Sequence, residues 1–98
     1  MSQPPSEEFE DYHARVGQSF TMRFGEQDVI ESVLLECERR GPQSFSLLFR
    51  AGPNAPREQG TYLLSAEDFG PRPVFLVPVR ETPDGVEFHA VFNQLTEE

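Results

Sequence analysis

Apolar residues along this chain recur mostly at every second position, in short runs broken by Pro and Gly. Phe20, Met22 and Phe24 alternate with Thr21 and Arg23, which predicts a half-buried strand. Phe45, Leu47 and Phe49 alternate with Ser46, Leu48 and Arg50 in the same way. The segments Thr61-Tyr-Leu-Leu-Ser65, Pro73-Val-Phe-Leu-Val-Pro-Val79 and Val86 to Phe92 add three more strands. In residues 29–38, Val29, Glu31, Val33, Leu35 and Cys37 share one face, with Ile30, Ser32, Leu34 and Glu36 on the other. Neither face is purely apolar, so a bulge or bend is expected near Glu31. Helix competes for this stretch because Glu and Leu favour it, but the β-branched residues favour strand.

Only the N-terminal part departs from this period. Phe9, Tyr12, His13 and Val16 follow helical spacing, with Ser6 as N-cap, Glu7 and Glu8 in the first turn, and Gly17 as the stop. So small an apolar face cannot hold a helix alone, which predicts that it lies across an open end or edge of the sheet. Gly25 to Asp28, Gly41-Pro42 and Thr82-Pro-Asp-Gly85 read as turns, and Ala66 to Gly70 as a helical turn or tight corner. Residues 74–79 are apolar on both faces and are expected to be buried twice over or to form a closing seam. Pro78 must sit at an edge or bulge.

Six successive strands without alternating helices exclude a parallel βαβ architecture. The prediction is a mainly all-β domain, a six-stranded antiparallel meander rolled into a small barrel with one short N-terminal helix; a two-sheet sandwich is the alternative. Residues 1–5 read as a disordered lead, 6–95 as one domain and 96–98 as a frayed tail. Phe45, Leu47, Phe49, Tyr62 and Leu64 are the expected core of residues 44–64.

Composition narrows the function. The 98 residues carry 17 acidic and 8 basic side chains, a formal charge of −9, which disfavours binding to nucleic acid or to an anionic membrane. The surplus charge serves solubility or meets a basic partner. A single cysteine, Cys37, excludes an internal disulfide and a thiolate metal cluster. No segment has the length of a membrane helix, and the first residues lack the order of a secretory signal, so a cytoplasmic, bacterial-type protein is expected.

No catalytic set emerges, and neither cofactor nor metal is expected. His89 reads as a solvent-facing strand residue near Glu87, and His13 as a packing residue of the helix. Cys37 reads as a small buried hydrophobe, its thiol held protonated by Glu36 and Glu38. The connection over residues 51–58 is the candidate interaction element, with Arg50, Gly52, Pro53, Asn54, Pro56 and Arg57 as its contact residues. Its two prolines lower the entropic penalty of binding. An ordinary long hairpin connection is the plainer reading. Arg50, Arg57 and Arg72 pair with the surplus acids or contact an acidic partner. A ligand pocket or active site drawing on Arg50, Tyr62, Asp68 and His89 is the alternative, which a filled barrel interior would count against. Self-association through residues 74–79 is a third possibility.

The runs Phe45-Ser-Leu-Leu-Phe-Arg50, Gln59-Gly-Thr-Tyr62, Val74-Phe-Leu-Val-Pro78 and Val91-Phe-Asn93, with Val16-Gly-Gln-Ser-Phe20, resemble a family of small bacterial domains of unknown function. The resemblance spans Phe9 to Asn93. It implies occurrence beside proteins similar to phage tail-collar or tail-fibre proteins, and hence an accessory role in assembling or presenting such a fibre. It supplies no catalytic residue.

Overall fold

A computed structural model describes residues 5–25, 28–41 and 44–93. The lead over residues 1–4, the middle of two predicted turns (26–27 and 42–43) and the tail over 94–98 lie outside the described residues. A helix, α1 (Pro5–His13), precedes six strands: β1 (Ser19–Phe24), β2 (Asp28–Gly41), β3 (Ser44–Ala51), β4 (Gly60–Ala66), β5 (Phe69–Thr82) and β6 (Gly85–Asn93). All strand pairings are antiparallel, and they close into a barrel in the order β1-β2-β3-β6-β5-β4.

That order corrects the expected meander. β1-β2-β3 and β6-β5-β4 are each meanders, but β3 pairs with β6 and β4 with β1, so consecutive strands β3 and β4 are not neighbours. The connection between them is therefore no hairpin; it crosses one end of the barrel. Its eight residues reach at most about 26–29 Å when extended, enough for such a crossing.

The interior is packed with side chains. Phe20 and Met22 of β1, Leu34 of β2, Phe45, Leu47 and Phe49 of β3, and Tyr62 and Leu64 of β4 are buried. Val74 and Leu76 of β5 and Val86, Phe88 and Ala90 of β6 complete the core. Each large apolar side chain so buried is worth roughly 1.5–3 kcal/mol. Tyr12 of α1 is fully buried and enters one barrel end, where its ring meets Phe20, Phe45, Phe69 and Phe92 at centroid distances of 5.0 to 6.4 Å. The helix thus caps an open end, as its narrow apolar face requires.

α1 begins at Pro5, before the expected Ser6 cap, placing proline in the first turn, where a missing N–H is harmless. It ends at His13, and the chain tightens through i→i+3 bonds from Arg15 to the Tyr12 carbonyl and from Gln18 to the Arg15 carbonyl. Val16 is consequently exposed instead of extending the apolar face. Gly17, at φ +91°, donates its N–H to the Leu34 carbonyl, and the Leu34 N–H returns a bond to Gln18.

The bulge in β2 lies at Leu35, beyond the expected position near Glu31. Leu34 pairs with Phe49 and Glu36 with Leu48, so Leu35 is the extra residue, and a second shift falls between Arg39 and Gly41. The bulge moves the inward face from Ile30 and Leu34 to Cys37, which packs against the core. That change of parity explains the mixed faces of the sequence. Residues 66–70 form a two-residue hairpin turn, not a helical turn, with Asp68 at φ 61°. Residues 74–79 are not buried on both faces: Val74 and Leu76 point inward, while Phe75 (54% exposed) and Val79 (52%) face outward because no second layer covers β5. Pro78 precedes a register shift ending at Arg80, the expected bulge.

Candidate functional site

The barrel end opposite α1 gathers the ends of β1, β3 and β5, the starts of β2, β4 and β6, and the β3–β4 connection. Gly52 accepts a bond from the Ala55 N–H at 3.1 Å, forming a turn that drives Ala55 into the core at 3% exposure. Beyond it, Arg57 folds back onto its own loop. One terminal guanidinium nitrogen donates to the carbonyls of Pro53 (3.0 Å) and Ala55 (2.9 Å), and Nε donates to the Glu81 carboxylate on β5. The Tyr62 hydroxyl donates to the Glu58 carbonyl at 2.7 Å, and its ring stacks on Phe24 at 4.6 Å. Burial and the neighbouring Glu58 charge raise the pKa of that hydroxyl, keeping it a donor. The loop is therefore fixed at three points, leaving Pro53 and Asn54 exposed at its tip.

Beside the tip runs an open groove of about 490 Å³, lined by residues 28–31 of β2 and 52–56 of the loop. It contains four of the six expected contact residues: Gly52, Pro53, Asn54 and Pro56. Arg57 is instead a structural staple. Arg50 stands on the outer face of β3, lining an adjacent depression with Glu31 and Asp84. Asp28, Val29, Ile30 and Glu31 escape sequence reasoning, because nothing local to β2 announces that a loop over twenty residues later will lie against it. The exposed pair Val29 and Glu31 on one strand face was the available signal.

Arg50, Tyr62, Asp68 and His89 do not converge. Tyr62 is interior, Asp68 lies in the β4–β5 turn at the helix end, and His89 sits half-buried on β6 opposite Leu48 and Val77. Arg72 pairs with Asp11 of α1 at 3.1 Å, so Arg57 and Arg72 both satisfy internal acids. Cys37 is half-buried beside α1, its thiol 3.9 Å from the Phe9 carbonyl. Burial pushes that thiol up to about 11, with Glu10 adding to the rise and Arg39 opposing it. The expected effect of Glu36 and Glu38 thus gives way to burial and Glu10. His13 is exposed and stacks on Phe9 at 5.2 Å. Among the described residues no group of three or more His, Cys, Asp or Glu side chains is placed to hold a metal.

Residues 8–92 match the model of the family described as "Domain of unknown function (DUF6916)". The chain belongs to that family. No curated protein and no solved structure matches the chain. The DUF6916 match takes in the aromatic face of α1, the crossing loop and the groove residues of β2, so both ends of the barrel fall within it. Among the described residues of this DUF6916 domain, no helix is long and apolar enough to cross a membrane.

Proposed function

We propose that this DUF6916 domain is a non-enzymatic protein-interaction module that presents the loop end of its barrel to a partner protein. One observation carries the reading: Ala55, Arg57 and Tyr62 hold the crossing loop at three points, so its exposed tip meets a partner already ordered. Binding by a preformed loop avoids most of the entropy lost in ordering a flexible one. The resemblance noted in the sequence makes a phage-tail-like fibre or collar protein the partner of choice, with the domain acting as an accessory during its assembly; the cytoplasm is the compartment proposed for that role.

The filled interior and the scattered positions of Arg50, Tyr62, Asp68 and His89 weigh against a ligand-binding or enzymatic barrel. Exposed Phe75 and Val79 on β5 support self-association as a second mode, which sedimentation velocity would read as a concentration-dependent shift.

The test is calorimetric titration of the purified domain with a purified fibre- or collar-like protein encoded beside it. Loop shortening is unsuitable, since the loop bridges β3 to β4 across the barrel. Asn54→Arg at the exposed tip leaves the anchors in place and should weaken binding at least tenfold. Absence of binding by the native domain, or equal binding by the variant, rules the reading out.

A further inference from the structure

We infer that the groove between β2 and the crossing loop takes an extended segment of the partner protein bearing lysine or arginine beside an apolar residue. The inference rests on the interaction reading above and names the chemistry that the site selects.

Among the described residues the groove lining carries two charged side chains, Asp28 and Glu31, both exposed carboxylates, and no cation. Its remaining surface mixes apolar and polar groups: Val29 is 53% exposed, Ile30 is half-buried, and Gly52 to Pro56, with the polar Asn54 among them, form the other wall. Of the nearby arginines, Arg57 is committed to Glu81 and to two loop carbonyls. Arg23, beside Val29 on the face of the β1–β2 pairing, and Arg50, which shares an adjacent depression with Glu31, flank the groove without lining it. At about 490 Å³ the groove exceeds a single side chain, which suits a few residues of extended chain lying along the start of β2. A carboxylate-rimmed groove with Val29, Pro53 and Pro56 in its walls favours a cationic, partly apolar strand and repels an acidic one. The domain's charge of −9 draws the same partner from a distance.

The sequence adds a direct assay. All eight basic side chains are arginine, and the chain has no lysine. A water-soluble carbodiimide activates a carboxylate, and attack by a primary amine forms an amide while the reagent leaves as a urea. Amide links to this domain's carboxylates from a lysine peptide therefore report where the peptide sits, with only the chain's own α-amino group as an internal competitor.

The probe is a fluorescent, N-acetylated peptide alternating lysine with valine and proline, compared with a glutamate counterpart and with plain oligolysine. Anisotropy should show binding of the first, weakening as salt rises, with crosslinks concentrated at Asp28 and Glu31. Glu31→Lys should weaken binding about three- to tenfold. Glu38→Lys, the same change of net charge at the opposite end of β2, should leave it within twofold. Arg23→Glu should tighten it. No binding, crosslinks spread over the acidic surface, equal loss in both lysine variants, or equal affinity for oligolysine would each overturn the inference. A fibre-like neighbour that binds native and Glu31→Lys domains alike leaves the interaction module standing and removes the groove from it.

Discussion

The α-carbon of Gly85 faces the carbonyl oxygen of Ala51 so closely that a β-carbon on residue 85 would overlap it, and Gly85 itself sits at φ 152°. The contact lies where the β5–β6 hairpin turn meets the end of β3, and both partners are backbone, so no side chain can give way. Gly85→Ala should cost about 2–4 kcal/mol and lower the melting temperature by roughly 8–30 °C. Gly52→Ala, with nothing within 4 Å of the added carbon, should stay within about 0.5 kcal/mol. Thermal unfolding followed by circular dichroism separates the two.

Tyr12 fills the barrel end beneath α1. Tyr12→Ala should cost about 3–5 kcal/mol, the range for emptying a large aromatic site. Because Tyr12 is the one α1 side chain buried completely among those described, the helix should also undock. Limited proteolysis within residues 5–13 should then run faster than loss of the sheet signal.

Arg57 tests rigidity separately from stability. Its ion pair with Glu81 joins two side chains that are 46% and 60% exposed, a class worth about 0–1 kcal/mol. Arg57→Ala should therefore barely move the unfolding midpoint. It should nevertheless raise backbone mobility over residues 53–57, seen as lower NMR order parameters, since two carbonyl contacts vanish with it.

Cys37 supplies a pH dependence. Its folded pKa, about 11, lies above the ordinary 9.0, so the folded state retains the thiol proton after the unfolded chain has released it. Stability linked to this group is full below pH 9 and declines as pH rises towards 11. Thiol-specific reagents should label the native domain slowly at pH 8 and faster as pH approaches 11, whereas the unfolded chain labels readily from pH 9.

The strand content was legible because Phe20, Met22, Phe45, Leu47, Phe49, Phe88 and Ala90 alternate cleanly, and a period of two has no other structural meaning. Tyr12 as a plug was legible in outline, from an apolar face too small to stand alone. Three things were hidden. Leu35 is apolar yet supernumerary, and a bulge is defined by its partner strand, which the sequence does not name. Phe75 and Val79 look like core but face outward, because hydrophobicity alone cannot say whether a second layer exists. The groove was half visible: Pro53 and Asn54 announce a loop, but Asp28 and Glu31 join it only through the strand order.

That strand order also governs how the chain can acquire its structure. Each meander, β1-β2-β3 and β6-β5-β4, is a three-stranded sheet with two bare edges, and the β1–β4 and β3–β6 pairings seal all four at once. Neither half can hide its edges until the other arrives. The eight-residue crossing loop is then the tether that keeps the halves at high effective concentration. Severed within that loop, the two pieces should reassociate as complementing fragments, with a rate that depends on their concentration.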